Sequence, residues 1–261
     1  MNPDEYARMF HAEQHHWWYR ALRQLLKQIW NITERSETIS FLDIGCGTGA
    51  NLAELPADAC RIGVDLSREA LRFAHSRGIA TLARADAVAL PFADESFDAA
   101  LMIDVLYHAA VPDKAAALRE ARRVLRPGGI LFVNVPAYNW LTSAHDRAVH
   151  AGTRFTAPRL RTLLVQAHLE PLRITYWNTL LFPPIALARL AAKRRPARSD
   201  LESPPSPWAN AVFGGLLALE RRILRVTNLP FGVSIFAVAR AALPRGTGGS
   251  PVTLTRRSPS A

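Results

Sequence analysis

The sequence predicts an α/β fold built on a doubly wound, largely parallel sheet, and three observations predict it. A short apolar run, Phe41-Leu-Asp-Ile44, leads straight into glycines at alternate positions, Gly45, Gly47 and Gly49. Short apolar runs then alternate with helical patterns as far as Val135, the rhythm of strand–helix–strand units. Acids stand at the carboxyl ends of four successive runs, Asp43, Asp65, Asp86 and Asp104, and open parallel sheets bind ligands just beyond those ends.

In chain order, Asp4 to Trp30 reads as one helix, with Tyr6, Phe10, Trp17, Leu22, Leu25, Leu26 and Ile29 along one stripe. Its aromatic cluster, His15 to Arg20, has two readings: rings that pack the helix onto the sheet, or rings that lid a ligand pocket. Phe41 to Ile44 is the first strand. The glycines after it form a tight turn whose backbone approaches a ligand closely, because a Cβ would block it. Cys46 sits in that turn, where a small residue is needed. Asn51 to Leu55 opens a helix that Pro56 interrupts. Arg61 to Asp65 is the second strand, and the carboxylate ending it suits both hydroxyls of a ribose. Ser67 caps a helix through Ala70, Leu71 and Ala74, stopped at Gly78.

Ile79 to Ala85 is the third strand, with Asp86 at its end. Phe97 to Ile103 is the fourth, near-continuously apolar as a central parallel strand is, followed by Asp104 to His108. Pro112 to Val124 is helical, Arg126-Pro-Gly-Gly129 a sharp turn, and Ile130 to Val135 the fifth strand. Glu170 to Trp177 and Val233 to Arg240 supply a sixth and a final strand.

With 261 residues, 49% of them apolar, the chain can bury a sizeable core. Two cysteines, Cys46 and Cys60, form neither a disulfide framework nor a zinc spacing, so no metal site and a reducing, cytoplasmic setting are expected. Met1 to Tyr19 lacks the basic-then-apolar pattern of a secretory signal. The net charge of +10 is concentrated: from Pro183 onward stand twelve Arg or Lys against three acids.

Together, Asp43-Ile-Gly-Cys-Gly-Thr-Gly49, Gly63-Val-Asp65-Leu-Ser67, Ala85-Asp86 with Leu90-Pro-Phe92, Ser96-Phe97-Asp98 and Leu125-Arg-Pro-Gly-Gly129 resemble the ordered motifs of class I S-adenosylmethionine-dependent methyltransferases. The resemblance is to their broad type 11/12 small-molecule set. It implies a Rossmann-like, doubly wound seven-stranded sheet with an antiparallel last strand, and S-adenosyl-L-methionine as cofactor. It implies that Gly45, Gly47 and Gly49, with Cys46, pass close to the methionine portion, and that Asp43 helps place the amino group. Asp65 takes the ribose hydroxyls, with Leu66 beside it; Asp86 and Ala87 meet the adenine; Asp104 to Leu106 flank the sulfonium. The opening His16-Trp-Trp-Tyr-Arg20 with Arg23 is similar to one that covers the cofactor in bacterial members, which implies Tyr19 or Arg23 as a cofactor contact. Asp98 and Leu90-Pro-Phe92 read as structural.

A hydroxyl acceptor also needs a base. His108 is best placed, just after the fourth strand; His145 and His150 are further candidates, and surface or capping histidines are the plainer reading. His145-Asp146 and His150 to Phe155 are similar to a His-plus-Arg-aromatic segment beside family acceptor pockets, with Ala151 and Gly152 as a departure.

The expected organisation is a cap helix at 1–36, a cofactor-binding core at 37–180, an insert at 181–229, the last core strand at 230–242 and a disordered tail at 243–261. In the family the last two strands form a hairpin with a short turn. Here an apolar segment (Leu180 to Ala192), a basic break (Lys193 to Arg198), a proline-rich loop (Ser203 to Pro207) and a second apolar helix (Trp208 to Leu219) intervene. The apolar stretches are too short to span a bilayer. They read as a helical hairpin capping the domain, or as a lid meeting an anionic membrane surface, peripheral to the inner face. The expected activity is methyl transfer to a small-molecule or lipid acceptor. A non-catalytic subunit for a membrane or protein partner is the alternative. No nucleic-acid partner is expected, because no Asn/Asp-Pro-Pro-aromatic motif follows the fourth strand, and Asp43 would repel the pyrophosphate of a nicotinamide cofactor.

Overall fold

The computed structural model describes residues 3–30, 39–55, 59–142, 146, 152–192 and 205–242. Seven strands form one sheet: β1 (Ser40–Ile44), β2 (Cys60–Asp65), β3 (Thr81–Arg84), β4 (Phe97–Ile103), β5 (Leu125–Pro136), β6 (Leu169–Trp177) and β7 (Ser234–Ala241). Their order is β3-β2-β1-β4-β5-β7-β6. β7 lies antiparallel to both β5 and β6, and the pairs from β3 to β5 are parallel. The doubly wound sheet with an antiparallel last strand is therefore as expected.

Alternation along the central strands sorts their side chains onto two faces. Leu42, Ile44, Ala100, Met102, Leu131, Val133, Ile235 and Ala237 face one core. It is closed by α5 (Lys114–Val124) and α6 (Ala157–Gln166) through Leu118, Ala121, Leu160 and Leu164. Phe41, Leu101, Ile103, Phe132, Phe236 and Val238 face the other. That face is covered by α2 (Trp17–Trp30) and by α8 (Pro207–Leu224), the second helix of the insert. α2 presents Ala21, Leu22, Leu25, Leu26 and Ile29, one helical stripe.

The N-terminal segment departs from the single helix expected. It breaks into α1 (Pro3–His15) and α2, because His16 caps the second helix. The His16 Nδ1 accepts from the Trp18 amide at 3.2 Å, and the Trp17 amide turns away to Asn210 Oδ1 of α8 at 2.9 Å. The sharp turn at Arg126 to Gly129 is a bulge inside β5. Between paired positions Phe97↔Leu125 and Ala99↔Ile130 the register shifts, and Gly128 carries the positive φ of 79°. Asp98 is structural, as read. It accepts from the Ser40 amide at 3.0 Å and hydroxyl at 2.8 Å, and pairs with Arg126 at 2.7 Å. Leu90 is buried, and Phe92 meets Phe97 edge-on at 5.0 Å.

Short elements follow their local signals. Gly49 precedes α3 (Ala50–Ala53), and Ser67 caps α4 (Arg68–Ser76) through the Ala70 amide at 3.3 Å. The insert begins with α7 (Phe182–Ala192). The basic break Lys193 to Arg198, the first two residues of the proline-rich loop and the tail lie outside the described residues. Among those described, no helix is long and apolar enough to cross a membrane.

The insert returns to the sheet through a tight approach at Gly232. A Cβ there would lie 2.3 Å from the Trp177 carbonyl oxygen and 2.9 Å from its carbon, and backbone does not yield as a flexible side chain does. Gly232→Ala is expected to lower stability by about 1–3 kcal/mol, the range for overpacking, read as a lower urea midpoint. An unchanged midpoint would show that this link relaxes freely.

Candidate active site

The carboxyl ends of the parallel strands open into a cavity of about 730 Å³, in the upper part of the ~300–1,000 Å³ range of small-molecule sites. Of the residues singled out from sequence, Gly45, Cys46, Gly47, Asp65 and Leu66 line it on the β1–β2 side. Asp86, Ala87, Asp104, His108, Tyr19 and Arg23 line it elsewhere. Asp43 and Gly49 are not on its wall.

The glycine turn is shaped by contacts that exclude side chains. Gly45 has φ 73°, and a Cβ on it would fall 2.5 Å from Val105 Cγ2. Both the Gly45 and Cys46 amides donate to the Val64 carbonyl, at 2.8 and 2.9 Å, which ties the turn to the end of β2. Asp65 spans the gap: one carboxylate oxygen accepts from the Gly47 amide at 2.9 Å, the other from the Ser67 amide at 2.8 Å. Gly49 serves packing instead, since its φ is 78° and a Cβ would lie 3.1 Å from Ala74 Cα of α4. The Cys46 thiol is pushed well up by burial and by Asp43 and Asp65, so it stays a neutral packing group.

Behind the turn, Asp43 is 1% exposed and neither carboxylate oxygen has a hydrogen-bond partner. Burial first, then the nearby charges of Asp65 and Glu13, push it from 3.8 to about 8. Asp65 is also pushed up by burial. Glu13 of α1 lines the cavity, and burial raises it too, opposed by Thr48 and Arg77. Three carboxylates thus gather around one turn in a desolvated place, where a positively charged ligand is favoured. S-adenosylmethionine carries an ammonium and a sulfonium, so this donor set fits it.

Sequence reasoning missed Glu13, because nothing in its local pattern marks it. It is defined by tertiary partners: the Thr48 hydroxyl donates to it, Arg77 just after α4 pairs with it at 2.5 Å, and Arg23 donates to its backbone carbonyl at 2.7 Å. Arg77 also donates to the Thr48 carbonyl at 2.8 Å and stands over the Phe10 ring at 4.2 Å. α1 is thereby latched over the glycine turn. The aromatic cluster fulfils both of its readings. Trp18 stacks on Trp177 at 5.9 Å and Trp17 meets Phe213 of α8 at 5.5 Å, while His16, Trp17, Trp18 and Tyr19 all face the cavity. The Tyr19 hydroxyl is held well above its ordinary range by burial and by Glu13, Tyr107 and Asp104.

At the end of β4, Asp104 takes a left-handed φ of 53°, uncommon for a non-glycine residue. Its Oδ1 accepts from Asn134 Nδ2 at 2.9 Å, and Asn134 Oδ1 accepts from Trp177 Nε1 at 2.8 Å. Burial pushes Asp104 from 3.8 to about 7, against the opposing pull of Asn134 and Arg154. His108 lines the cavity too, but its Nδ1 accepts from the Ala110 amide at 3.3 Å. His145 and His150 lie outside the described residues. The neighbouring Arg154 and Asp146 are on the cavity wall as a buried bidentate pair, Nε to Oδ1 at 3.0 Å and Nη2 to Oδ2 at 2.9 Å. Asp86 accepts from the Val88 amide at 3.1 Å, which fixes the turn after β3. Among the described residues no group of three or more His, Cys, Asp or Glu could hold a metal ion.

Asp43 sets a pH dependence. Its folded pKa, about 8, lies above its unfolded value near 3.8. The unfolded chain therefore sheds a proton that the folded chain keeps, and stability falls as pH rises between those values, by on the order of 1 kcal/mol per pH unit. Asp43→Asn is expected to melt above the wild type at pH 8 in the absence of ligand, with the gap narrowing towards pH 5. A gap that does not change with pH would show that Asp43 ionises normally.

Residues 42–133 match the family model described as a methyltransferase domain. The 27-O-demethylrifamycin SV methyltransferase of Amycolatopsis mediterranei is 32% identical over 147 residues, 50% of this chain and 53% of that protein. The O-methyltransferase cnsE of Penicillium expansum is 40% identical over 101 residues, 35% of this chain and 36% of that protein. The chain thus spans between about a third and a half of these relatives. Among solved structures, an S-adenosylmethionine-dependent methyltransferase of Thermotoga maritima superposes with a TM-score of 0.58 over 91% of this chain and 95% of that one, at 20% identity, a likeness of fold. Residues 42–133 thus match a methyltransferase domain, within a fold shared with a solved methyltransferase.

Proposed function

We propose that the protein methylates a hydroxyl oxygen of a small-molecule acceptor, with Asp104 as the general base. The observation that carries this is Asp104 itself, a carboxyl with a pKa near 7 fixed on the cavity wall by Asn134 in a left-handed backbone. When bound, S-adenosylmethionine supplies an activated methyl group. Gly45, Gly47 and Cys46 pass beside its methionine portion. Asp65, with Leu66 beside it, takes the ribose hydroxyls, and Asp86 and Ala87 meet the adenine. Tyr19 and Arg23 close the site from above, and Asp43 acts on the ammonium from behind the turn. The acceptor oxygen gains the methyl and gives its proton to Asp104, which releases it to solvent. The two O-methyl-transferring relatives support oxygen as the acceptor atom.

A base whose pKa lies near the working pH contributes about 10²–10⁴-fold. With labelled methyl donor and hydroxyl-bearing acceptors, Asp104→Asn is expected to lose at least about 100-fold in kcat while binding S-adenosylhomocysteine as the wild type does. The wild-type rate is expected to rise with pH through about 7 as Asp104 ionises, and the variant to lose that rise. Undiminished turnover in Asp104→Asn would overturn the assignment.

A second reading concerns where the acceptor comes from. α7 turns Ile185, Ala188 and Arg189 towards the cavity, while its Leu187 is 68% exposed, as is Trp208 at the start of α8. Leu190, Val212 and Leu219 are exposed on the same two helices. In a chain whose positive charge is concentrated in this segment, these side chains suit an anionic lipid surface and a peripheral position on the inner face of a membrane. Vesicles containing anionic lipid are expected to sediment the protein at low salt, and Leu187→Asp with Trp208→Ser to weaken this by about tenfold. No sedimentation at low salt would overturn the membrane reading and leave methyl transfer untouched.

A further inference from the structure

The cavity also holds a polar group with nothing to bond. Asn178 follows β6 in a left-handed conformation, φ 60°, is 1% exposed and lines the cavity. Neither its carboxamide oxygen nor its nitrogen has a hydrogen-bond partner. A buried amide left in this state costs free energy, and here the surroundings fix it in place. Glu220 of α8, also 1% exposed, accepts through Oε2 from the Thr179 and Leu180 amides at 2.8 and 3.0 Å, while its Oε1 has no hydrogen-bond partner. The insert thus supplies a buried carboxylate whose bonds hold the loop that carries Asn178. On the same wall stand Ser234, paired with Trp177 across β6 and β7, and Ile185 of α7.

We propose that Asn178, positioned by Glu220, recognises the far end of the methyl acceptor, and that this end carries an uncharged group able both to donate and to accept a hydrogen bond, a hydroxyl or a carboxamide. This rests on the reading of the cavity as a methyl-transfer site. The chemistry of the side chain selects the class. The carboxamide offers one acceptor oxygen and one donor nitrogen. A carboxylate satisfies the nitrogen and repels the oxygen, an ammonium does the reverse, and a methyl group satisfies neither. A site built around hydrogen bonding rejects analogues that lack the matching group, because its own buried polar atoms are then left unpaired.

The test uses four phenols that share the reacting hydroxyl and differ at the far end: para-hydroxybenzamide, para-hydroxybenzyl alcohol, para-cresol and para-hydroxybenzoate. Each is titrated calorimetrically into the full chain saturated with S-adenosylhomocysteine. The amide and the alcohol are expected to bind at least tenfold more tightly than the cresol and the benzoate. Asn178→Asp keeps the shape and the tolerance of positive φ but removes the donor, and Asn178→Gly tolerates the same backbone without the side chain. Both are expected to lose the preference while keeping wild-type affinity for S-adenosylhomocysteine. Equal affinities for the four probes, no binding by any, or an unchanged preference in both variants would overturn the inference. The same probes incubated with methyl-labelled donor test the parent reading separately. Preference without transfer would defeat methyl transfer and leave the binding site standing, and transfer without preference would do the opposite.

Discussion

The ligand edge depends on how tightly the chain turns after β1. Gly45 leaves no room for a Cβ against Val105, and Val105 follows the left-handed Asp104. The turn that approaches the cofactor and the loop that carries the candidate base are thus packed against each other, so neither moves alone. A side chain at position 45 would have to push on the segment after β4. The hydrogen bonds from Gly45 and Cys46 to Val64 and from Gly47 to Asp65 extend the same constraint to β2. Rigid placement of this kind is what methyl transfer needs, because holding reactants in line is itself a large part of the catalysis.

Around this edge the cavity is enclosed by two segments that are not part of the sheet. α1 is held by the Glu13, Thr48 and Arg77 cluster on one side. On the other, the insert contributes α7 as wall and, through Glu220 of α8, the hold on Asn178. α2 joins them, packing on the sheet and on α8 together, with Gln28 donating to the Arg221 carbonyl at 3.1 Å. Between the two enclosing segments runs a row of buried polar bonds, Trp177 to Asn134 to Asp104. It crosses from the antiparallel strands to the parallel ones. In a desolvated interior such a row fixes the orientation of each member, since breaking one bond leaves the next group unsatisfied.

The cofactor half and the acceptor half are built by different rules. Around the glycine turn, function follows from backbone conformation, and backbone conformation demands particular residues at particular spacings. At the acceptor end, the groups come from β6, the insert and the segment around Arg154, and their roles follow from burial and pairing. Arg154 and Asp146 form an ion pair that is 5% and 3% exposed, and Arg189 approaches the same carboxylate at 3.9 Å.

By itself the sequence determined the sheet, its strands and the glycine turn at their carboxyl edge. Short apolar runs, glycines where only a missing Cβ fits, and acids at the ends of four successive strands are local requirements, and local requirements leave local marks. It also determined that Asp98 and Leu90 to Phe92 are structural, since their positions lie away from the ligand edge. The tertiary structure alone decided that the N-terminal segment breaks at His16, because the Trp17 amide finds Asn210 far along the chain. It alone showed that Asp43 sits behind the cavity wall, that Gly49 packs on α4, and that His108 offers a capped Nδ1. Glu13 and Asn178 were invisible for the same reason. A glutamate or an asparagine becomes a functional group only when distant segments bury it and leave it, or deny it, a partner.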